Sequence, residues 1–438
     1  VLLSGCAVRS VHDASYVSGA LEKRTGHELR PAGERAGFEL PAGVSLDDGL
    51  TEDEAVAIAL WNNSQFQADA VALGFARADL IEAGLLRNPI LSFLFPLGPK
   101  QLEATLNLPL EFFWQRPKRV AAAKLDVERV AEGLVQHGLN LTRDVLVSFA
   151  DLALAREREA ILAGQARFLG ETATIAAARF RAGDISGLEE TAFRTAAALA
   201  EEESLRATRE AKVASEKLRS DLGLGLETTT FDLSPLPPAA GPELNPAGLL
   251  DAAFAARPDL RAAEIALEAA AERLGWERSK ILNLSATLDA NGEGKEGFEM
   301  GPGFVLELPV LNWNNGKKAR AKAEMEQTAL QYIAVRQRIA REVNEAHAGY
   351  VAARRTLEIA HSEILPEARV AAGRAENAYA VGEISYLDLL AFKRGLLDSE
   401  LRAAEAEADM RRALAALQSS VGLRPDMIRL DADSTGGK

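Results

Sequence analysis

Apolar and polar positions alternate along this chain with two different periods, and the change of period marks out its elements. Near residue 90, Leu91, Phe93 and Phe95 fall on one face of an extended segment. Leu102, Ala104, Leu106, Leu108 and Leu110 then alternate with Glu103, Thr105, Asn107 and Pro109. The pattern returns at 281–310. There Leu282, Leu284, Ala286 and Leu288 alternate with Asn283, Ser285, Thr287 and Asp289. Phe304, Leu306, Leu308 and Val310 alternate with Val305, Glu307 and Pro309. Period two predicts strands with one apolar and one polar side. They read as two hairpins, over 90–110 and 281–310. One turns through Gly98-Pro99; the other has a longer loop holding Gly292, Gly294 and Gly297. Each strand is close to the length that crosses a bilayer at a tilt. A soluble sheet with one face on a core would show the same alternation. Phe112, Phe113, Trp114, Trp276 and Trp313 flank the hairpins, where a membrane interface favours aromatic rings.

Helical periodicity fills most of the rest. A run from Thr51 is stopped by Asn88-Pro89, because proline disfavours helix in the residue before it. A helix of about 66 residues, roughly 100 Å long, is expected from Pro117 to Ala182. Gly183-Asp184-Ile185-Ser186 interrupts it, and a second stretch reaches about Leu222. The order then recurs: a helix through Arg257-Pro258-Asp259-Leu260 to about Lys280, the second hairpin, and a long helix over about 317–381. Gly382-Glu383-Ile384-Ser385 breaks that helix before a last one to about Val421. The paired strand ends at Leu106 and Leu306, and the two Gly-x-Ile-Ser turns, are each separated by about 200 positions, which points to internal duplication. The organisation expected is a signal remnant at 1–5, an irregular extended arm at 6–50 and a first repeat at 51–224. A Pro-rich linker at 225–247, a second repeat at 248–422 and a tail at 423–438 complete it.

No apolar run reaches the ~18 residues that suggest a transmembrane helix, so any membrane crossing must use strands. Four strands cannot close a barrel, and an unpaired edge in lipid is very costly. Bacterial barrels have at least about eight strands, so hairpins in a bilayer require several copies of the chain; three would supply about twelve staves. The net charge of −14 argues against a nucleic-acid partner, which needs a concentrated basic surface. The five histidines and four methionines are scattered, so neither a metal site nor a cofactor is expected. There is no phosphate-binding Gly-rich loop, zinc pair at helical spacing or nucleophile elbow, and no enzyme is expected.

At the start, Leu3-Ser4-Gly5-Cys6 resembles a bacterial lipobox, and Cys6 is the only cysteine. Its thiol would carry the lipid, and several acyl chains would anchor it stably. Arg116, Lys118 and Arg119, then Lys317, Lys318 and Arg320, sit where each hairpin enters its long helix. Positive charge at a helix N-terminus opposes the dipole. Anionic lipid headgroups would offset that cost; ordinary solvated charge is the other account.

These features together resemble the outer-membrane efflux protein family, TolC-like and of the lipoprotein type. The paired Leu-x-Leu-Pro strand ends, Arg257-Pro258-Asp259-Leu260, Leu311-Asn312-Trp313-Asn314-Asn315-Gly316 and the Gly-x-Ile-Ser turns carry the resemblance across nearly the whole chain. It implies a mainly α fold with a small β part. Long helical hairpins plus four transmembrane strands per protomer would build a homotrimeric twelve-stranded barrel continuous with an α-helical barrel. It implies a passive exit duct in the outer membrane, lipid-anchored, with a long periplasmic extension. An inner-membrane pump of the resistance-nodulation-division type would supply small molecules or metal ions through a periplasmic adaptor. Protein export by a type I system and a soluble coiled-coil scaffold are the alternatives. Gly183, Asp184, Ile185, Ser186, Gly382, Glu383, Ile384 and Ser385 become periplasmic tips that contact the adaptor. Asp388, with Glu189 and Glu190, becomes a pore constriction; Ala391 replaces a second acid some members carry there. Glu103, Asp289 and Glu307 are expected to face the barrel lumen.

Overall fold

The computed structural model describes residues 8–30, 37–95, 97, 102–227, 229, 231–237, 239, 246–292 and 297–424. Cys6, Gly98-Pro99 and Gly294 lie outside the described residues. The chain opens with helix α1 (Ala14–Thr25), then α2 (Glu52–Asn62) and α3 (Ser64–Gly84). Strands β1 (Ile90–Leu94) and β2 (Leu102–Pro109) precede α4 (Arg116–Ala182) and α5 (Gly187–Asp221). The second half repeats that order: α6 (Pro246–Ala256), α7 (Pro258–Ser279), β3 (Asn283–Gly292), β4 (Phe298–Glu307) and α8 (Asn315–Ile359). A π-helical turn (Ala360–Ile364) leads into α9 (Leu365–Ala380), and α10 (Tyr386–Val421) follows the last break. The fold is mainly helical with one small sheet.

The described chain forms two compact units. One contains the sheet, α3, α7 and the segments of α4 and α8 nearest the strands. The four strands are ordered β1-β2-β3-β4 and every pairing is antiparallel. The β2–β3 pairing joins the two repeated halves, leaving β1 and β4 as edges. In this unit Arg257 is 6% exposed and makes two hydrogen bonds, of 2.9 and 2.8 Å, to the carboxylate of Asp259. Pro258 fills the first helical position of α7, where its missing N–H costs nothing. Asp259 also accepts from Arg338 of α8 at 2.8 Å. Burial would raise the Asp259 pKa, but hydrogen bonds and charge from Arg257, then Arg338, outweigh it and hold the carboxyl below its ordinary range.

The other unit contains α2, α5, α6, α9, α10 and the remaining parts of α4 and α8. Its helices approach closely through alanine. Leu154 of α4 packs on Ala404 and Ala408 of α10. The next faces of α10, Ala403 and Ala406, pack on Ala360 and Leu365.

Five expectations need correction. The arm at 6–50 is not extended throughout: α1 starts behind Asp13, whose carboxylate accepts from the Ser15 and Tyr16 N–H groups. Val17 and Leu21, one helical turn apart, are fully buried. Arm and linker also pair, through a parallel bridge between Leu50 and Leu233. The helix expected from Thr51 breaks at Asn63, whose side chain accepts from the Phe66 N–H at 2.9 Å and caps α3. The helix through Arg257 is two helices, because Pro258 turns Arg257 extended. The long helix at 317–381 contains the π turn just before Pro366, whose ring cannot share a normal turn with the carbonyl four residues back. The last strand starts at Phe298 and stops at Glu307, so Leu308, Pro309 and Val310 lie beyond it.

Candidate functional site

Residues paired directly across an antiparallel sheet share a face. The register therefore sorts the sheet. Asn283 lies opposite Glu307, Asp289 opposite Thr105 and Gly301, and Asn291 opposite Glu103 and Glu299. That face carries four acids, Glu103, Asp289, Glu299 and Glu307, and no lysine or arginine among the described residues. Polar neighbours organise them. Asp289 accepts from Thr105 at 2.8 Å and from Asn291 at 3.0 Å, and Glu307 accepts from Asn283 at 2.6 Å. Glu103, Asp289 and Glu307, expected to face a barrel lumen, lie on one face of the sheet. Glu299 was missed, because the alternation was read only from Phe304 onward. It could have been found by extending period two backwards through Met300 and Phe298.

The opposite face is apolar: Leu91, Phe93, Leu102, Leu106, Leu108, Leu284, Leu288, Met300, Phe304 and Leu306. It does not sit on a core of this chain. Phe93 is 58% exposed and Phe304 73%. A patch of that kind on a sheet marks a surface meant for something other than water.

The second candidate surface is the pair of helix reversals. Both end the incoming helix with a left-handed glycine, Gly183 (φ +86°) and Gly382 (φ +81°). In each, the glycine N–H reaches back three residues and the following N–H five: Asp184 to Arg179 at 2.9 Å and Glu383 to Ala378 at 2.9 Å. This pattern satisfies the last carbonyls of the helix. The outgoing helix starts with a capping box in both. Ser186 Oγ accepts from the Glu189 N–H at 3.2 Å, and Glu189 accepts from the Ser186 N–H at 2.8 Å. Ser385 Oγ accepts from the Asp388 N–H at 3.3 Å, and Asp388 accepts from the Ser385 N–H at 3.1 Å. Hydrogen bonds from Ser186 and Ser385 hold both carboxyls below their ordinary pKa. Glu189 and Asp388 are thus equivalent positions, both engaged in caps, whereas Glu190 lies 3.5 Å from Arg194. The reversals touch, with the Phe193 and Tyr386 ring centroids 3.9 Å apart, while Lys393 of α10 pairs with Glu376 of α9 within the second reversal. Leu188 and Leu387, just past the two serines, are both well exposed.

The basic cluster at the start of α4 has partners within the chain. Arg116 donates to the Gly84 carbonyl at 2.7 Å, and Arg119 to those of Ala83 and Leu85 at 2.8 and 2.7 Å. These arginines close the C-terminal end of α3, where the dipole favours positive charge. Lys118 donates to the Gly275 carbonyl of α7 at 3.3 Å. Arg320 pairs with Glu324 at 2.8 Å. No helix among the described residues is long and apolar enough to cross a membrane, and no group of three or more His, Cys, Asp or Glu among them could hold a metal ion.

Comparison with known proteins sets these surfaces in context. The cobalt-zinc-cadmium resistance protein CzcC of Cupriavidus metallidurans is 26% identical over 361 residues, covering 81% of this chain and 85% of that protein. The structure of the outer-membrane channel OprN superposes with a TM-score of 0.73 at 21% identity, covering 89% of this chain and 93% of that one. The outer-membrane protein VceC of Vibrio cholerae gives 0.70 at 17% identity, over 85% and 96%. These likenesses share the fold of helices and a small sheet described above. The model of the outer membrane efflux protein family matches residues 91–224 and 249–423, so the chain belongs to the outer membrane efflux protein family.

Proposed function

We propose that three copies of this chain form an outer-membrane efflux channel whose wall is a closed twelve-stranded barrel. The observation that carries this reading is the sheet: four strands, two open edges, an uncovered apolar face and a polar face whose charged groups are all acidic. In a bilayer the apolar face meets lipid and β1 of one copy pairs with β4 of the next, which removes both edges. The polar face then lines the lumen. Glu103, Asp289, Glu299 and Glu307 repeat around it and favour cations over anions.

The role is passive transport, with energy supplied from the inner membrane. The two capped reversals, with exposed Leu188 and Leu387 beside them, suit docking to a periplasmic adaptor, and a resistance-nodulation-division pump completes the path. Asp388 and Glu189 bring three acids each to the constriction of a trimer. Cys6 carries the lipid anchor. The all-acid lumen, together with the metal-resistance relative, favours metal cations as the cargo. The reading is tested by the mass of the purified oligomer in detergent and by planar-bilayer recording. A monomer without conductance rejects it. A conducting trimer that prefers anions rejects the lumen assignment alone.

A further inference from the structure

The duplication of the chain extends to how its helices pack. Ala72, Leu73, Ala76 and Leu80 of α3 stand at one constant spacing from Ala266, Leu267, Ala270 and Leu274 of α7, so α3 and α7 are the same element in the two halves. The spacing of the Leu-x-Leu-Pro strand ends likewise carries Lys118, Ala122, Leu125, Asp126 and Arg129 of α4 onto Lys318, Lys322, Met325, Glu326 and Ala329 of α8. Within the chain, pairing of β2 with β3 brings α4, which leaves β2, beside α7, which enters β3. Arg261, Ile265, Ala269 and Arg273 recur one helical turn apart and form one face of α7. Arg261 reaches Glu128 of α4 at 2.9 Å, and Arg273 reaches Asp126. Between the two arginines Ile265 and Ala269 are fully buried, and Lys118 of α4 donates to the Gly275 carbonyl at 3.3 Å.

The equivalent faces of α3 and α8 lack that neighbour. α3 enters β1 and α8 leaves β4, the two open edges of the sheet. Val71 and Phe75 take the places of Ile265 and Ala269, yet Val71 is only half-buried and Phe75 is 69% exposed. Lys318 takes the place of Lys118, and neither its side chain nor that of Asp79, one turn beyond Phe75, has a partner among the described residues. We propose that α3 of one copy packs on α8 of the next as α7 packs on α4 within a chain, so that one helix–helix seam serves both within and between copies; this rests on the trimeric reading above. Lys318 donates to the Ile81 carbonyl of the next copy, the position equivalent to Gly275. Phe75 covers Met325 and the methylenes of Lys322, and Val71 lies against Ala329. One pair has no copy: Arg273 and Asp126 become Asp79 and Glu326, both acids. Lys322, one turn before Glu326 and 3.6 Å from it, lies between the two carboxylates and compensates both.

Cysteine pairs test this on the full-length protein in detergent. Phe75→Cys with Met325→Cys, and separately Val71→Cys with Ala329→Cys, are treated with a short thiol cross-linker beside each single variant, which controls for Cys6. The seam predicts covalent dimers and trimers on denaturing gels from the double variants and monomers from the single ones. An oligomer of three chains that yields no covalent link between copies, or only links closed within one chain, overturns the seam and leaves the trimer standing. A protein with the mass of one chain removes both. Charge reversal gives a second readout that needs no cross-link. Asp79→Lys and Lys322→Asp should each speed subunit exchange about fivefold, because reversal puts like charges in contact, and the two together should restore the slow rate. A double variant that exchanges as fast as the single ones overturns the proposal.

Discussion

At the scale of single residues, the most informative side chains are acids whose structural and functional roles overlap. Asp388 and Glu189 complete capping boxes, and in the trimer we propose both also approach the pore axis. Substitution separates the two roles. Asp388→Asn keeps an oxygen that can accept from the Ser385 N–H while removing the charge; Asp388→Ala removes both. If the charge narrows the pore, both substitutions raise single-channel conductance. If only the cap matters, Asp388→Asn behaves as the unaltered channel and Asp388→Ala alone loosens the first turn of α10, seen as faster amide exchange at 386–389. Asp259 has a larger energetic role. Removing it takes away the carboxylate that accepts two hydrogen bonds from Arg257, only 6% exposed, and Asp259→Ala is expected to cost about 1–3 kcal/mol in denaturant unfolding. Because the folded Asp259 pKa lies below its unfolded value, its contribution is complete above the ordinary carboxylate range. It is lost as pH falls through the lowered folded value, so Asp259→Asn should flatten that acid limb of the stability profile.

Among elements, the two reversals show why short motifs recur. A glycine that ends one helix, two residues of turn and a serine that starts the next form one unit, used at both breaks. A Cβ at Gly183 or Gly382 would meet nothing within 4 Å, so replacement acts only through backbone strain. Gly382→Ala is expected to destabilise the reversal by about 1–2 kcal/mol, and Gly382→Asn by less, since asparagine tolerates the left-handed region better. Amide exchange across Tyr379–Ser385 measures the difference. The interruptions of the long helices follow from equally local chemistry. Pro366 brings a π turn, Pro258 a fresh start at α7, and Asn63 a new cap. Each proline or asparagine was visible in the sequence. Their effect on helices that look continuous was not, because alanine-rich periodicity runs straight through them.

For the whole molecule, the predictions concern assembly and permeation. The purified protein should have the mass of three chains in detergent and favour cations in planar bilayers. Replacing Glu103, Asp289, Glu299 and Glu307 together with Gln or Asn should shift the reversal potential towards zero without dissolving the oligomer; an unchanged potential would take these acids out of the lumen. Cys6→Ser should abolish acyl labelling, and labelling that persists would place the lipid elsewhere. The helical reversals, the repeated order of helix, hairpin and long helix, and the two-sided character of the strands were legible in the chain because each depends on neighbours within a few residues. Gly183, Ser186 and Glu189 determine a turn wherever they occur together, and period two assigns a face to each strand residue. Which strands are neighbours was decided only in three dimensions. β2 pairs with β3 across about 180 residues of sequence, and that register puts Glu103 on the same face as Asp289. The partners of Arg116 and Arg119 were likewise settled by packing. Their sequence neighbours pointed to the start of α4, but the carbonyls they reach belong to the end of α3, a contact that exists only once the helices lie side by side.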